Sequence, residues 1–319
     1  MRAVGSSDPA RGSEATARAE KEGESDGDQV LSTSVRTRRS SHRPEAREAG
    51  TPQEAIIRRE TFDTPGPLEL NVRVPSGDVD LETAEGTESV VEISASPEIE
   101  EEARVELHSK RDGHELSVVI EKRSGLFRAF RDDVRVRIKT PPGADVELST
   151  ASADIDARGD FGATKVNTAS GDVRFEHVGG EAQVNSASGD VNLDQVDGAL
   201  MVNTASGDVE IRRLHGEGKV RAASGDISID EAASSLKVQT ASGDVGVDSV
   251  REGEVTLQTA SGDIEVGIKQ GSKLWIDAKS MSGETSSELE LGDAPTEGEG
   301  PLVEVRATAM SGDIKVKRA

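Results

Sequence analysis

The sequence predicts an all-β protein, a single-stranded right-handed parallel β-helix whose coils are eighteen residues long. Three observations carry that expectation. First, Ser-Gly-Asp recurs at a fixed interval of eighteen, at Ser170-Gly171-Asp172, Ser188-Gly189-Asp190, Ser206-Gly207-Asp208, Ser224-Gly225-Asp226 and Ser242-Gly243-Asp244. A strict period of this length is the mark of stacked coils. Second, apolar residues are 33% of the chain and aromatics only 2%, enough for a thin core but not for a wide one. Third, Val and Ile alternate with polar residues between the corners, the period of a strand with one buried face.

Residues 1–60 carry eleven basic and eleven acidic side chains and almost no large apolar residue before Ile56-Ile57. Such a stretch buries too little surface to offset its chain entropy, so a disordered tail is expected. Its run Arg36-Thr37-Arg38-Arg39-Ser40-Ser41-His42-Arg43 is a plain solvated segment, with phosphorylation or docking as the alternative.

Residues 61–144 are expected to form a β cap. Leu68, Leu70, Val72 and Val74 share one parity, and Pro75-Ser76-Gly77-Asp78 makes a turn. Further strands are expected over 89–94, 103–109, 115–121 and 134–140. A cap is needed because the open end of a solenoid presents unpaired backbone groups. The segment Arg123–Arg131, basic and holding Phe127 and Phe130, is expected to be a hairpin loop over the cap's core. Contact with a membrane interface or a partner is the alternative.

Residues 145–319 are the solenoid. Aligned coils such as KVNTASGDVRFEHVGGEA and QVNSASGDVNLDQVDGAL give the expected buried columns. These are Val166, Val184, Val202, Val220 and Val238 at the second position, and Ala169, Ala187, Ala205, Ala223 and Ala241 at the fifth. Val173 and its equivalents take the ninth, Phe175, Leu193, Ile211, Ile229 and Val247 the eleventh, and Val178 and its equivalents the fourteenth. Like residues of adjacent coils should lie one strand spacing apart, about 4.8 Å. Parallel crossovers are right-handed by default, and glycine relaxes the corners. Ser152-Ala153-Asp154 precedes the series, and Ser261-Gly262-Asp263, Ser282-Gly283-Glu284 and Ser311-Gly312-Asp313 follow it at looser spacing. The acidic, glycine-rich stretch Glu284–Gly300 is expected to be a loop. The charged end Ile314-Lys315-Val316-Lys317-Arg318 is expected to guard a terminal edge against aggregation.

The T-A-S-G-D-V ladder, following Phe62-Asp63-Thr64-Pro65-Gly66-Pro67-Leu68, resembles the bacterial "putative adhesin" family, a domain of unknown function built from β-strand repeats. The resemblance covers roughly residues 60–319. It implies a right-handed β-helix-like fold and a role at or near the cell envelope or in envelope-stress signalling, and no catalytic residue.

The bulk chemistry excludes several classes. The net charge is −23, all of it on residues 61–319 because the tail is neutral. That opposes nucleic-acid binding, which needs cations to displace counterions, and opposes docking on anionic lipid. With no cysteine, disulfides and thiolate chemistry are excluded. No apolar run approaches the ~20 residues of a membrane span. The N-terminus lacks an apolar secretion signal. A cytoplasmic location is therefore expected, with the cell envelope or surface as the alternative.

The sharpest candidate feature is the column Asp172, Asp190, Asp208, Asp226 and Asp244. Carboxylates ~5 Å apart repel by about 1 kcal/mol in water, so something must offset them. Bonds from turn amides, with Ser supporting the turn, are one answer. Calcium is the other, although calcium β-rolls use a different nine-residue repeat, G-G-x-G-x-D. Asn167, Asn185 and Asn203 form an outward polar column in which side-chain amides can bond along the axis, broken by Arg221 and Gln239. His42, His108, His114, His177 and His215 have no metal-ligand spacing and are expected on the surface. No nucleophile elbow or phosphate loop occurs. Trp275 is expected to seal the end of the core, with glycan binding as the alternative. The expected function is a non-enzymatic scaffold or binding protein without a cofactor. Its partner would be a protein, a polysaccharide or a second copy. A self-assembling filament and a calcium-stabilised repeat are the competing readings.

Overall fold

The computed structural model describes residues 56–121, 134–288 and 300–319. The tail before Ile56, including Arg36–Arg43, and the segment Arg123–Arg131 lie outside the described residues, as does most of the Glu284–Gly300 stretch.

The first elements are β1 (Ile56–Asp63), β2 (Leu68–Thr83), β3 (Glu88–Ala95), a short helix α1 (Pro97–Glu100), β4 (Arg104–Lys110), β5 (Gly113–Val119) and β6 (Arg135–Thr140). Leu68, Leu70, Val72 and Val74 are all buried, as their shared parity predicts. The first half of β2 pairs in parallel with β5 and its second half with β6. Together β5 and β6 thus make an outer coil over β2. Antiparallel strands close that end, β4 on β5, β3 on β6 and β1 on β3. The inner side of β2 pairs in parallel with β7 (Ala144–Ser170), setting Ser76 on Ser152 and Asp78 on Asp154. The Ser-Gly-Asp corner therefore already exists at Ser76-Gly77-Asp78, far upstream of the regular series.

Regular coils follow as β8 (Val173–Val178), β9 (Ala182–Ser186), β10 (Val191–Val196), β11 (Leu200–Thr204), β12 (Val209–Leu214), β13 (Gly218–Ser224), β14 (Ile227–Ala232), β15 (Leu236–Ser242), β16 (Val245–Val250), β17 (Gly253–Ser261) and β18 (Ile264–Ile268). β9, β11, β13, β15 and β17 stack in parallel as a first face. β8, β10, β12, β14, β16 and β18 stack as a second. The apolar columns meet between them, and Phe161 and Phe175 form an edge-to-face pair with centroids 5.8 Å apart.

The expected columns at the second, ninth, eleventh and fourteenth positions are all buried. The fifth is not: Ala169, Ala187, Ala205, Ala223 and Ala241 are exposed. The residue before each is turned inward instead, and Thr168, Ser186, Thr204 and Thr240 are buried. Strict alternation decides this, because Val166 and Thr168 share a parity and Ala169 has the other. The hydroxyls are tolerated inside because each donates to a corner carbonyl two residues on, Thr168 to Ser170 at 3.0 Å and Thr204 to Ser206 at 3.0 Å.

The last elements are β19 (Lys273–Ser280), β20 (Thr285–Ser287), β21 (Leu302–Ser311) and β22 (Ile314–Arg318). Their spatial order is not their chain order. β21 lies between β17 and β19, and β22 between β18 and β20. Ile314–Arg318 is therefore an interior strand and not the edge guard expected from its charge. Lys317 pairs with Glu265 of the neighbouring β18 at 2.7 Å and reaches Asp248 of β16, one strand further, at 3.4 Å. Burial explains the exchange. Val303, Val305, Ala307 and Ala309 of β21 are fully buried, whereas Leu274 and Ile276 of β19 are only half-buried. The more completely apolar strand takes the inner place.

Candidate functional site

Each corner aspartate of the ladder is tied to the next coil. The Oδ1 of Asp154 accepts the backbone N–H of Asp172 at 3.0 Å, and the same bond links Asp172 to Asp190 (3.0 Å) and Asp190 to Asp208 (2.9 Å). It continues from Asp208 to Asp226 and from Asp226 to Asp244, both at 2.8 Å. The chain of bonds then runs through Asp263 and Asp313 to the N–H of Glu284. One oxygen of each carboxylate thus holds two coils together, which offsets the repulsion along the column. Among the described residues no group of three or more His, Asp or Glu side chains is arranged to hold a metal ion.

A second polar chain crosses the coils on the other face. His177 Nδ1 lies 2.6 Å from Asp160 Oδ1, and its Nε2 lies 3.0 Å from Asp197 Oδ2. Asp197 Oδ1 meets His215 Nδ1 at 2.7 Å and accepts from Gln195 at 3.0 Å. His177 departs from the surface expectation, since it is only 26% exposed and bonded through both ring nitrogens. His108 is exposed beside Glu106. The spacing hides this cluster, because Asp160 follows an irregularity between Ala157 and Asp160. Wrapping the sequence at the coil period would have set His177 over Gln195 and Asp197 over His215.

The cluster makes stability depend on pH. The bond to Asp160 raises the His177 imidazole above its ordinary 6.5, and the bond to Asp197 adds to this against the opposing effect of burial. Bonds from Gln195, His215 and His177 hold the Asp197 carboxyl down at about 2, against an ordinary 3.8. A raised imidazole stabilises the fold below its unfolded value and loses that contribution as pH rises through the folded one. A lowered carboxyl stabilises above its unfolded value and loses that as pH falls toward the folded one. The cluster therefore stabilises most between about pH 4 and pH 6.5. Melting temperature across pH should decline above that window, and His177→Gln should flatten the decline.

The first face is the candidate binding surface. From the end of β7 to β17 its outward side chains include two columns, Lys165, Gln183, Met201, Lys219, Lys237 and Thr256, and Asn167, Asn185, Asn203, Arg221, Gln239 and Gln258. On these coils neither column holds a carboxylate, on a chain of net charge −23; the first column meets one only beyond its ends, at Glu147 beside Lys165 and at Asp277 past Arg306. The outward positions of the second face, by contrast, include Glu176, Asp194, Glu210, Asp230, Glu231 and Asp248. Lys219 lies directly beside Lys237, with Arg221 two residues along. Neither lysine has an ion-pair partner among the described residues. Like charges on directly paired positions repel, so an anion bound between them would be favoured.

The amides next to them are aligned. Asn185 donates to Asn167 Oδ1 and Asn203 to Asn185 Oδ1, each at 3.0 Å. Gln239 donates to Gln258 at 2.7 Å. The expected bonding along the axis is thus present, and Arg221 and Gln239 extend the polar column in place of asparagine. A shallow trough runs beside it, floored by the exposed Ala187 and Ala205 and edged by Asn167, Asn185 and Asn203. The misplaced alanines are therefore part of this surface. The signal was present in the first and third positions of the repeat, read for charge.

Trp275 points outward and does not seal the core. It is 45% exposed, and the Arg306 guanidinium lies 5.6 Å from its ring centroid. Leu274 and Ile276, of the opposite parity, pack against the core end instead.

The family profile described as Toastrack DUF4097 matches residues 68–317. That agrees with the resemblance carried by the T-A-S-G-D-V repeats. No curated protein matches the chain. Among solved structures, a "putative cell adhesion protein" from Clostridium sporogenes ATCC 15579 aligns at 13% identity and a TM-score of 0.28, covering 83% of this chain and 100% of that one. A "putative adhesin" from Bacteroides fragilis NCTC 9343 aligns at 13% identity and 0.38, covering 85% and 100%. Another from Parabacteroides distasonis ATCC 8503 aligns at 12% identity and 0.42, covering 82% and 98%. At such identities and scores no property of those proteins transfers to this chain.

Proposed function

This chain belongs to the Toastrack DUF4097 family, and from that premise we propose that it is a non-enzymatic binding protein whose first face takes an extended acidic polysaccharide. The observation that carries this reading is the pair of outward columns that hold no carboxylate over the coils from Lys165 to Gln258, set on a strongly acidic chain. Lys219, Lys237 and Arg221 supply charge for sugar carboxylates. The aligned amides of Asn167, Asn185 and Asn203 supply donors and acceptors for hydroxyls. The alanine-floored trough lets a polymer lie close along the solenoid axis. No helix of the described residues is long and apolar enough to cross a membrane. A polysaccharide partner suits a place in the cell envelope, which protease accessibility on intact cells would check.

Titration calorimetry at low salt tests the reading, with polygalacturonate against neutral dextran. Polygalacturonate should bind and dextran should not. Lys219→Glu with Lys237→Glu should weaken binding by roughly tenfold, about 1.4 kcal/mol, and added salt should weaken it further. Equal binding of both polymers, or an unaffected double variant, would overturn it.

A further inference from the structure

The two ends of the solenoid are finished differently. Antiparallel strands cover the outer coil at the N-terminal end. At the other end the first face stops at β19, which pairs with β21 alone among the described residues. The second face stops there at β20, only three residues long, so the eight residues of β19 are the long open edge. Exposed apolar side chains gather here. Trp275, Met281, Leu302 and Met310 are four of the five large ones among the described residues, and all lie on β19, on β21 or in the turn after β19.

The polar groups of that edge can be assigned. Lys273 donates its N–H to Pro301 O at 2.8 Å, toward β21. Alternation along a parallel pair turns Trp275 and Asp277 the same way, so Leu274, Ile276 and Ala278 present N–H and C=O to the open side.

We propose that β19 pairs antiparallel with β19 of a second copy, about a two-fold axis at Trp275. The charge pattern selects that register. With the axis at Trp275, Lys273 stands opposite the partner's Asp277 twice over, and Leu274 opposite the partner's Ile276. Moving the axis to Ile276 would oppose Lys273 and Lys279, and moving it to Asp277 would oppose two carboxylates. Opposite charges across strands stabilise, and like charges destabilise. In the selected register Leu274 and Ile276 exchange the free backbone bonds. Trp275 then falls at a non-hydrogen-bonded site, where alpha carbons approach to about 4.5 Å and aromatic pairs gain most. A two-fold contact uses one edge on each copy and closes, so it gives a dimer and not a filament. An eight-residue edge buries less than the standard ~800 Å² per partner, so the dimer is roughly micromolar.

Sedimentation velocity on the full chain, over a series bracketing roughly 1–100 μM, tests this. A monomer–dimer equilibrium is expected. Lys273→Asp alone and Asp277→Lys alone should each weaken it at least tenfold or so, by setting like charges opposite. The double variant Lys273→Asp with Asp277→Lys should recover it, since the pair is restored with its signs exchanged. Circular dichroism melts confirm that each single variant is folded. A monomer at every concentration, mass growing beyond two copies, single variants without effect, or a double variant as weak as the singles would each overturn the proposal.

Discussion

Replacing Gly207 with alanine should destabilise the fold by about 3–5 kcal/mol, read as a drop in the urea midpoint. Gly207 has a φ of +117°, where side chains are strained, and its new Cβ would lie 2.2 Å from the carbonyl oxygen of Gly189. The obstacle is backbone of the coil below, so no rotamer relieves it. The coils must part, and the corner bonds from Asp190 to Asp208 and onward would lengthen with them. Gly86 supplies the control. Its φ is +131°, yet a Cβ there meets nothing within 4 Å. Gly86→Ala should cost only the backbone strain, roughly 1–2 kcal/mol. Equal losses at both sites would mean that close stacking at the corner does not limit the sequence.

Phe175→Ala should cost about 3–5 kcal/mol by the same measurement. Phe175 is fully buried, stands in register between Ala157 and Leu193, and meets Phe161 edge to face at 80°. The small Ala157 leaves the ring its space, and neither neighbour can move in to fill the cavity because each is fixed by its own ladder bonds. Phe175→Leu keeps much of the volume and should cost under about 2 kcal/mol.

Most of the architecture was legible because a parallel ladder turns sequence spacing into vertical stacking. Val184 lies on Val166, and Val202 on Val184, with no intervening judgement needed. Legibility fails where spacing and stacking part company. Ser76 and Ser152 share a corner, but four strands lie between them in sequence. Ser311 lies on Ser261, although Ser282 comes between them in the chain. Nothing local to those residues records the detour. Ala169 departs from its expected burial for a different reason: alanine suits a core by polarity, but strand parity governs and turns Thr168 inward, where its hydroxyl has a carbonyl within reach. The proposed binding face was legible in composition but not in motif. It is defined by which charge is missing from two columns, and absence is visible only once the columns are known.

The interleaving of the final strands changes how the molecule can be built and dismantled. An ordinary stack can grow vectorially from the ribosome, each turn settling on the last. Here β19 and β20 are synthesised before the strands they must sit upon, so they have no proper seat until Arg318 has been made. Residues 302–319 therefore complete two layers at once, pairing with β17 and β18 on one side and giving β19 and β20 their partners on the other. Trimming this protein from its C-terminus would pull out a middle layer and leave the outer one orphaned.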